Sequence, residues 1–146
     1  MALDLWFRMA NALAALGWLL LAVALFVSAA SPWRARLLAV AGRGLPLLLA
    51  AGYVAALAAS WGSSPGGSFS SLEGVAMLFS SRGVLLAGWV HYLAFDLFIG
   101  RWAVDDALAR GVNRVALLPC LFLIFMFGPL GLLLYFGLRQ TRPARA

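Results

Sequence analysis

The sequence has no lysine, one cysteine and one histidine among its 146 residues. Cys120, being alone, forms no internal disulfide and no cysteine metal cluster. It sits in an apolar run and reads as a small buried hydrophobe. His91, also alone, builds no multi-histidine site within one chain. That excludes membrane di-iron hydroxylases, ketolases and desaturases, whose metals need many histidines. Two-histidine haem ligation would need a dimer. No G-x-x-x-x-G-K-[ST] loop is present to cradle a nucleotide. The expectation is therefore no metal and no cofactor.

Charge is scarce too. Only 11% of the residues are charged and 64% are hydrophobic, with a mean hydropathy of +0.97. Soluble domains carry about 25% charged residues. A chain this short cannot hide so much apolar surface in a water-soluble core, so the bilayer is its solvent. The net charge of +6 comes from arginines alone. They punctuate apolar runs, as in membrane loops, and nucleic acid is not expected as a partner.

A membrane helix needs about 20 mostly apolar residues. Four runs qualify, at about 5–29, 37–60, 84–104 and 115–138. The fold class is all-α: a polytopic membrane protein with a four-transmembrane-helix bundle, as a single membrane domain over 1–146. A signal peptide is the other reading of the first run, since Arg8 precedes it and Val27-Ser28-Ala29 resembles a cleavage site. Its length, with Trp6, Asn11 and Trp18 inside, favours a span. Between spans two and three, Leu72, Val75, Ala76 and Phe79 share one helix face. Ser70 and Glu73 have capping-box spacing. A short amphipathic helix over about 71–81 follows, lying in the interface or packed on the bundle. Pro119 and Gly128-Pro129-Leu130-Gly131 predict a kinked fourth helix. With four spans, Arg34, Arg36, Arg43, Arg101, Arg110 and Arg114 lie on one side. Arg8, Arg82, Arg139, Arg142 and Arg145 lie on the other, too even a split to orient the chain.

The third span holds the polar residues that need an explanation. In GWVHYLAFDLFIGRW (88–102), His91 lies near mid-depth, with Asp96 roughly 7.5 Å further along the axis. An ionised Asp there costs about 2.5–3.5 kcal/mol on insertion scales, so a partner or a cavity is implied. At about 100° per residue, Asp96 points roughly 140° away from His91. The two act together only through another helix or a ligand. They are the candidate catalytic acid and base. A structural hydrogen bond remains the other reading of His91. For Asp96, Asn11 and a loop arginine such as Arg114 are alternative partners. Trp89, Tyr92, Phe95, Trp102 and Asn11 are candidate substrate-binding residues, suited to a long flat apolar ligand, though aromatic residues also simply pack. Arg101 and Asp105, at i and i+4, read as a structural ion pair.

Three stretches resemble the abscisic acid-deficient-four-like family of small integral membrane proteins: FSSLEGVAMLFSSRG, GWVHYLAFDLFIGRWAVDDA and LPCLFLIFMFGPLGLLLY. The likeness extends to the amino-terminal MANALAALGWLLL. The family includes plant neoxanthin synthase-type proteins. The resemblance implies a four-helix membrane protein linked to xanthophyll metabolism, at the rearrangement of violaxanthin to neoxanthin. Such an isomerase needs a proton donor and a base but no redox cofactor. Its ligand is a carotenoid or another isoprenoid. The alternatives are a protein that binds a carotenoid or quinone or assists another membrane enzyme, and a small transporter or proton-relay subunit. Alanine- and arginine-rich usage without lysine points to a bacterial inner membrane, and a homo-oligomer is compatible with the chain.

Overall fold

The computed structural model describes residues 2–141, and among them all regular structure is helical. Helix α1 is Ala2–Phe26. Ser31 then caps α2, Pro32–Ala39: its Oγ accepts from Trp33 N at 3.3 Å. Pro32 takes the first helical position, where an N–H would be unpaired anyway. A π-helical segment, Val40–Gly44, carries the helix on into α3, Leu45–Ala59. The wide turn falls just before Pro46, which lacks an N–H, and where Arg101 enters from α5. A Cβ on Gly42 would collide with the Arg101 stem, and the Arg101 guanidinium donates to the Leu38 carbonyl.

Helix α4, Leu72–Ser80, is the amphipathic helix expected at about 71–81. Its cap sits one residue later than the capping-box spacing predicts. Ser71 accepts from Gly74 N at 3.0 Å, while Ser70 hydrogen-bonds Ser68 instead. Ser64 donates to the Leu78 carbonyl at 2.9 Å and fastens the preceding loop to α4. The Phe79 ring reaches back over Gly88 of α5.

Helix α5, Arg82–Arg110, is the axis of the molecule. Its buried positions 83, 86, 90, 93, 97, 100, 104 and 107 alternate steps of three and four, the spacing of a helix seam. On α1, Ala10, Ala14, Gly17, Leu21 and Ala24 repeat the pattern. Gly17 admits the Leu97 methyls and Gly100 admits the Trp18 ring. In lipid no hydrophobic force drives helices together, so close approach through small residues supplies the packing energy. Leucine, phenylalanine and valine cover much of the outer surface, with Leu47 and Leu133 both 69% exposed, and in water that surface would be unstable.

Three helical stretches, Ala2–Phe26, Pro32–Ala59 and Arg82–Arg110, are long and apolar enough to cross a membrane. The fourth apolar run, expected as one kinked span over about 115–138, is instead two helices. Asn113 caps α6, Arg114–Phe127, by accepting from Val115 N at 2.9 Å. Gly128 then turns at φ 43°, a conformation that favours glycine, and α7 is Pro129–Arg139. The two fold back on each other. A Cβ on Gly131 would collide with the backbone of Leu123 and Ile124 and lie 2.7 Å from the Cys120 carbonyl. Along one continuous helix, Gly131 would be roughly 16 Å from Cys120. Helices of 14 and 11 residues span only about 21 and 17 Å, short of the roughly 30 Å hydrocarbon core.

Ionic contacts lie at both ends. At one end Arg82 pairs with Asp4 at 2.7 Å. At the other, Asp106 receives Arg110 at 2.9 Å and Arg139 at 3.4 Å, and Tyr135 donates to it at 2.5 Å. The hairpin thus starts and finishes beside Asp106, at the C-terminal end of α5. Arg139 therefore lies with Arg34, Arg36, Arg43, Arg101, Arg110 and Arg114, not with Arg82 as four spans would require. Arg142 and Arg145, which entered the four-span charge count, lie outside the described residues.

Candidate functional site

Asp96 lies 14 residues from each end of α5, so the carboxylate sits midway along a helix of about 43 Å. The tip of the α6–α7 hairpin comes to it. A Cβ on Gly128 would be 3.1 Å from Asp96 Oδ1 and 3.3 Å from Oδ2. Only glycine both makes the turn and leaves room for the carboxylate. Tyr92, one turn earlier, donates its hydroxyl to the Phe125 carbonyl at 3.1 Å. That bond occupies one of the carbonyls that end α6, which have no partner within the helix. The first amides of α7 begin at the same tip. Non-helical backbone at membrane depth is tolerated where it is buried in protein or lines a cavity, and Gly128 is buried.

One Asp96 oxygen is buried without a hydrogen-bond partner among the described residues. Neither partner weighed from the sequence meets it. Asn11 instead donates to the Phe7 carbonyl at 2.7 Å and accepts from Trp89 Nε1 at 3.3 Å. Arg101 pairs with Asp105, and Arg110 and Arg139 pair with Asp106; Arg114 begins α6, at the opposite end of that helix from the tip beside Asp96. A carboxyl group can both give and take a proton.

His91 faces elsewhere, as the angular count requires. It is exposed, stacked on Phe95 at 4.5 Å between ring centroids and edge-on to Tyr53 at 5.4 Å. Beside Phe95 runs an apolar groove of about 330 Å³ between α3 and α5, lined by Pro46, Leu47, Phe98 and the stem of Arg43. The structure therefore does not bring His91 and Asp96 into one site. The aromatic candidates divide likewise. Trp89 packs on Phe7 and Tyr92 beside α1. Trp102 packs on Tyr135 and Phe136 of α7, with Arg139 over its ring at 5.6 Å. Arg101 donates to Asp105 at 2.7 Å.

Sequence reasoning missed the Asp106 cluster. The i, i+4 spacing of Asp106 and Arg110 was available as a signal. Tyr135 and Arg139 share that spacing, but their meeting with Asp106 depends on the reversal at Gly128. The loop segment Gly62-Ser63-Ser64-Pro65-Gly66 has G-x-S-x-G spacing. It joins two helices rather than a strand and a helix, and the Ser64 hydroxyl is spent on Leu78. Among the described residues no three His, Cys, Asp or Glu side chains cluster to hold a metal ion.

A family model described as ABA DEFICIENT 4-like matches residues 5–135. Protein ABA DEFICIENT 4, chloroplastic, of Arabidopsis thaliana is 34% identical over 65 residues, which cover 44% of this chain and 28% of that protein. The matched stretch is thus under a third of that relative's length. No solved structure matches the chain.

Proposed function

The chain belongs to the ABA DEFICIENT 4-like family, and on that premise we propose that it is an integral membrane isomerase for a carotenoid-like isoprenoid, with Asp96 as its acid and base. One observation carries the reading: a carboxylate oxygen, buried and unpartnered, at the middle of a membrane-length helix where a hairpin tip meets it. An intramembrane ionisable residue points to a functional site by default.

An epoxide rearrangement fits one carboxyl. Protonated Asp96 gives its proton to the epoxide oxygen as the C–O bond breaks. The resulting carboxylate takes a proton from the carbon adjacent to the cation, leaving an alcohol and a new double bond. Atoms and electrons balance without an oxidant, and the acid is regenerated. Tyr92 is the positioning residue for Asp96, and Phe127 and Leu130, both exposed at the tip, leave the site open to the bilayer. His91, outside this site, is not required for the step.

The domain is read as three spans plus a re-entrant hairpin. Among the described residues, seven arginines, Arg34, Arg36, Arg43, Arg101, Arg110, Arg114 and Arg139, mark one end, against Arg8 and Arg82 at the other. By the positive-inside rule the seven face the cytoplasm if the host membrane is a bacterial inner membrane.

The test is expression in a carotenoid-producing bacterium, with chromatography and mass detection of the extracted pigments. A new isomer is expected from the wild type and from His91→Ala, and none from Asp96→Asn. An isomer that persists in Asp96→Asn refutes the assignment. The α3–α5 groove beside Phe95 favours a second reading, a carotenoid- or quinone-binding protein that performs no chemistry. Stoichiometric pigment on purified protein, with no new isomer in the host, is its signature.

A further inference from the structure

The groove between α3 and α5 holds about 330 Å³, and Arg43 is the one charged residue in its lining. Arg43 stands at the arginine-rich end. Ala50, also in the lining, lies seven residues further along α3, roughly 10 Å toward mid-depth. Leu47, Phe95 and Phe98 in the walls are all exposed. In a bilayer such walls are covered by chains of lipid. The volume is at the low end of ligand pockets, which hold about 300–1,000 Å³, and the groove is narrow, so it takes one chain.

An apolar chain does not account for the arginine. A leucine at 43 would line the groove equally well. Three other arginines at this end are matched by acids: Arg101 by Asp105, and Arg110 and Arg139 by Asp106. Arg101 is the neighbour of Arg43, with its stem against Gly42, and Asp105 is already committed to it. Arg43 is exposed and has no acidic partner among the described residues. It is carried by the π-helical segment Val40–Gly44, a kind of wide turn that recurs at functional sites. Its charge therefore awaits an anion at the mouth of an apolar groove. A guanidinium suits phosphate, whose oxygens match its planar fork of donors. Basic pockets between membrane helices seat anionic lipid head groups. A free phosphate would meet only this one exposed arginine, whereas a lipid adds the burial of a chain along Leu47, Phe95 and Phe98.

We propose that the α3–α5 groove seats one chain of an anionic phospholipid whose phosphate pairs with Arg43. The site does not include Asp96 and does not rest on the isomerase reading, so lipid binding and isomer formation succeed or fail separately.

The test uses full-length protein in nanodiscs of equal phosphatidylglycerol and phosphatidylcholine with the same chains. The choline cation offsets its own phosphate, so the two lipids differ in net charge. Native mass spectrometry counts the lipid retained per protein. The wild type is expected to keep one phosphatidylglycerol, preferred by about fivefold. Arg43→Gln is expected to lose the preference. Arg34→Gln, at the same end but outside the groove lining, is expected to keep it. Ala50→Phe fills the groove and is expected to retain neither lipid with Arg43 still in place. Equal retention of the two lipids by the wild type overturns the proposal and returns the groove to the carotenoid- or quinone-binding reading. A preference unchanged in Arg43→Gln overturns it, and so does an equal loss in Arg34→Gln, the mark of general attraction to an anionic surface. A dimer that retains no lipid would make the groove an interface between copies and also overturns it. A readout on the wild type alone keeps the question decidable if a variant does not fold. Phosphatidylglycerol with a photoreactive diazirine in its chain must mark Leu47 above Leu133, a residue of α7 that is equally exposed. Even marking of the two overturns the assignment.

Discussion

Gly131 provides the most direct perturbation of the hairpin. A methyl group added there meets the backbone of Leu123 and Ile124 and lies 2.7 Å from the Cys120 carbonyl oxygen. Ordinary contacts between heavy atoms lie at about 3.5–4.0 Å. Backbone cannot rotate aside as a side chain can, so α6 and α7 must part by about 1 Å along their seam. Forcing a methylene into a packed site costs about 1–3 kcal/mol, and the rigid neighbours place Gly131→Ala toward the upper end. The folded-to-unfolded ratio then falls by roughly one to two orders of magnitude. Gly137, two turns on in the same helix, has nothing within 4 Å of its Cβ direction. There the same change gains about 0.5–1 kcal/mol by restricting the unfolded chain. The two substitutions are chemically identical and opposite in sign. Titration of purified protein from mild detergent into dodecyl sulfate, followed by circular dichroism, reads both. Equal midpoints for Gly131→Ala and Gly137→Ala would refute the folded-back hairpin, because a merely kinked helix leaves Gly131 free of Cys120.

Three further outcomes follow from the same geometry. Tyr135→Phe removes a bond to a carboxylate from a side chain that is fully buried, and a loss of about 1.5–3 kcal/mol is expected in the same titration. Arg82→Gln breaks an ion pair whose side chains are 71% and 54% exposed and is expected to leave the midpoint within scatter; a larger loss than for Tyr135→Phe would reverse the ranking of the two ends. Asp96→Leu removes an unmatched buried oxygen, so it is expected to raise the unfolding midpoint while abolishing isomer formation, the trade-off of a site kept for function. A lowered midpoint would show that Asp96 is a structural partner.

The spans were legible because length and apolarity are one-dimensional signals. The runs behind α1, α3 and α5 each exceed 18 residues and hold at most one arginine. The separation of His91 from Asp96 was legible for a similar reason: it depends only on helical pitch. The pairing of Arg101 with Asp105 followed from spacing. The reversal at Gly128 was not legible, since 115–138 has the length and polarity of a span and Gly-Pro-Leu-Gly is equally a kink. What decides it is tertiary. Gly131 accepts the backbone of α6, and Asp106 receives Arg110 from its own helix together with Tyr135 and Arg139 from α7. Asp96 was readable as a polar group in need of a partner, but its setting depended on where the tip of that hairpin falls.

The re-entrant hairpin places the tip at Asp96, so sidedness is the measurement to make. In a Cys120→Ala background, single cysteines replace Ala30 between α1 and α2, Phe69 between α3 and α4, and Gln140 after α7. A membrane-impermeant maleimide is applied to sealed vesicles of each orientation. A hairpin requires Gln140→Cys to label from the same side as Ala30→Cys, and Phe69→Cys from the opposite side. Labelling of Gln140→Cys together with Phe69→Cys would make the fourth run a span, carry Gly128 away from Asp96, and remove the site.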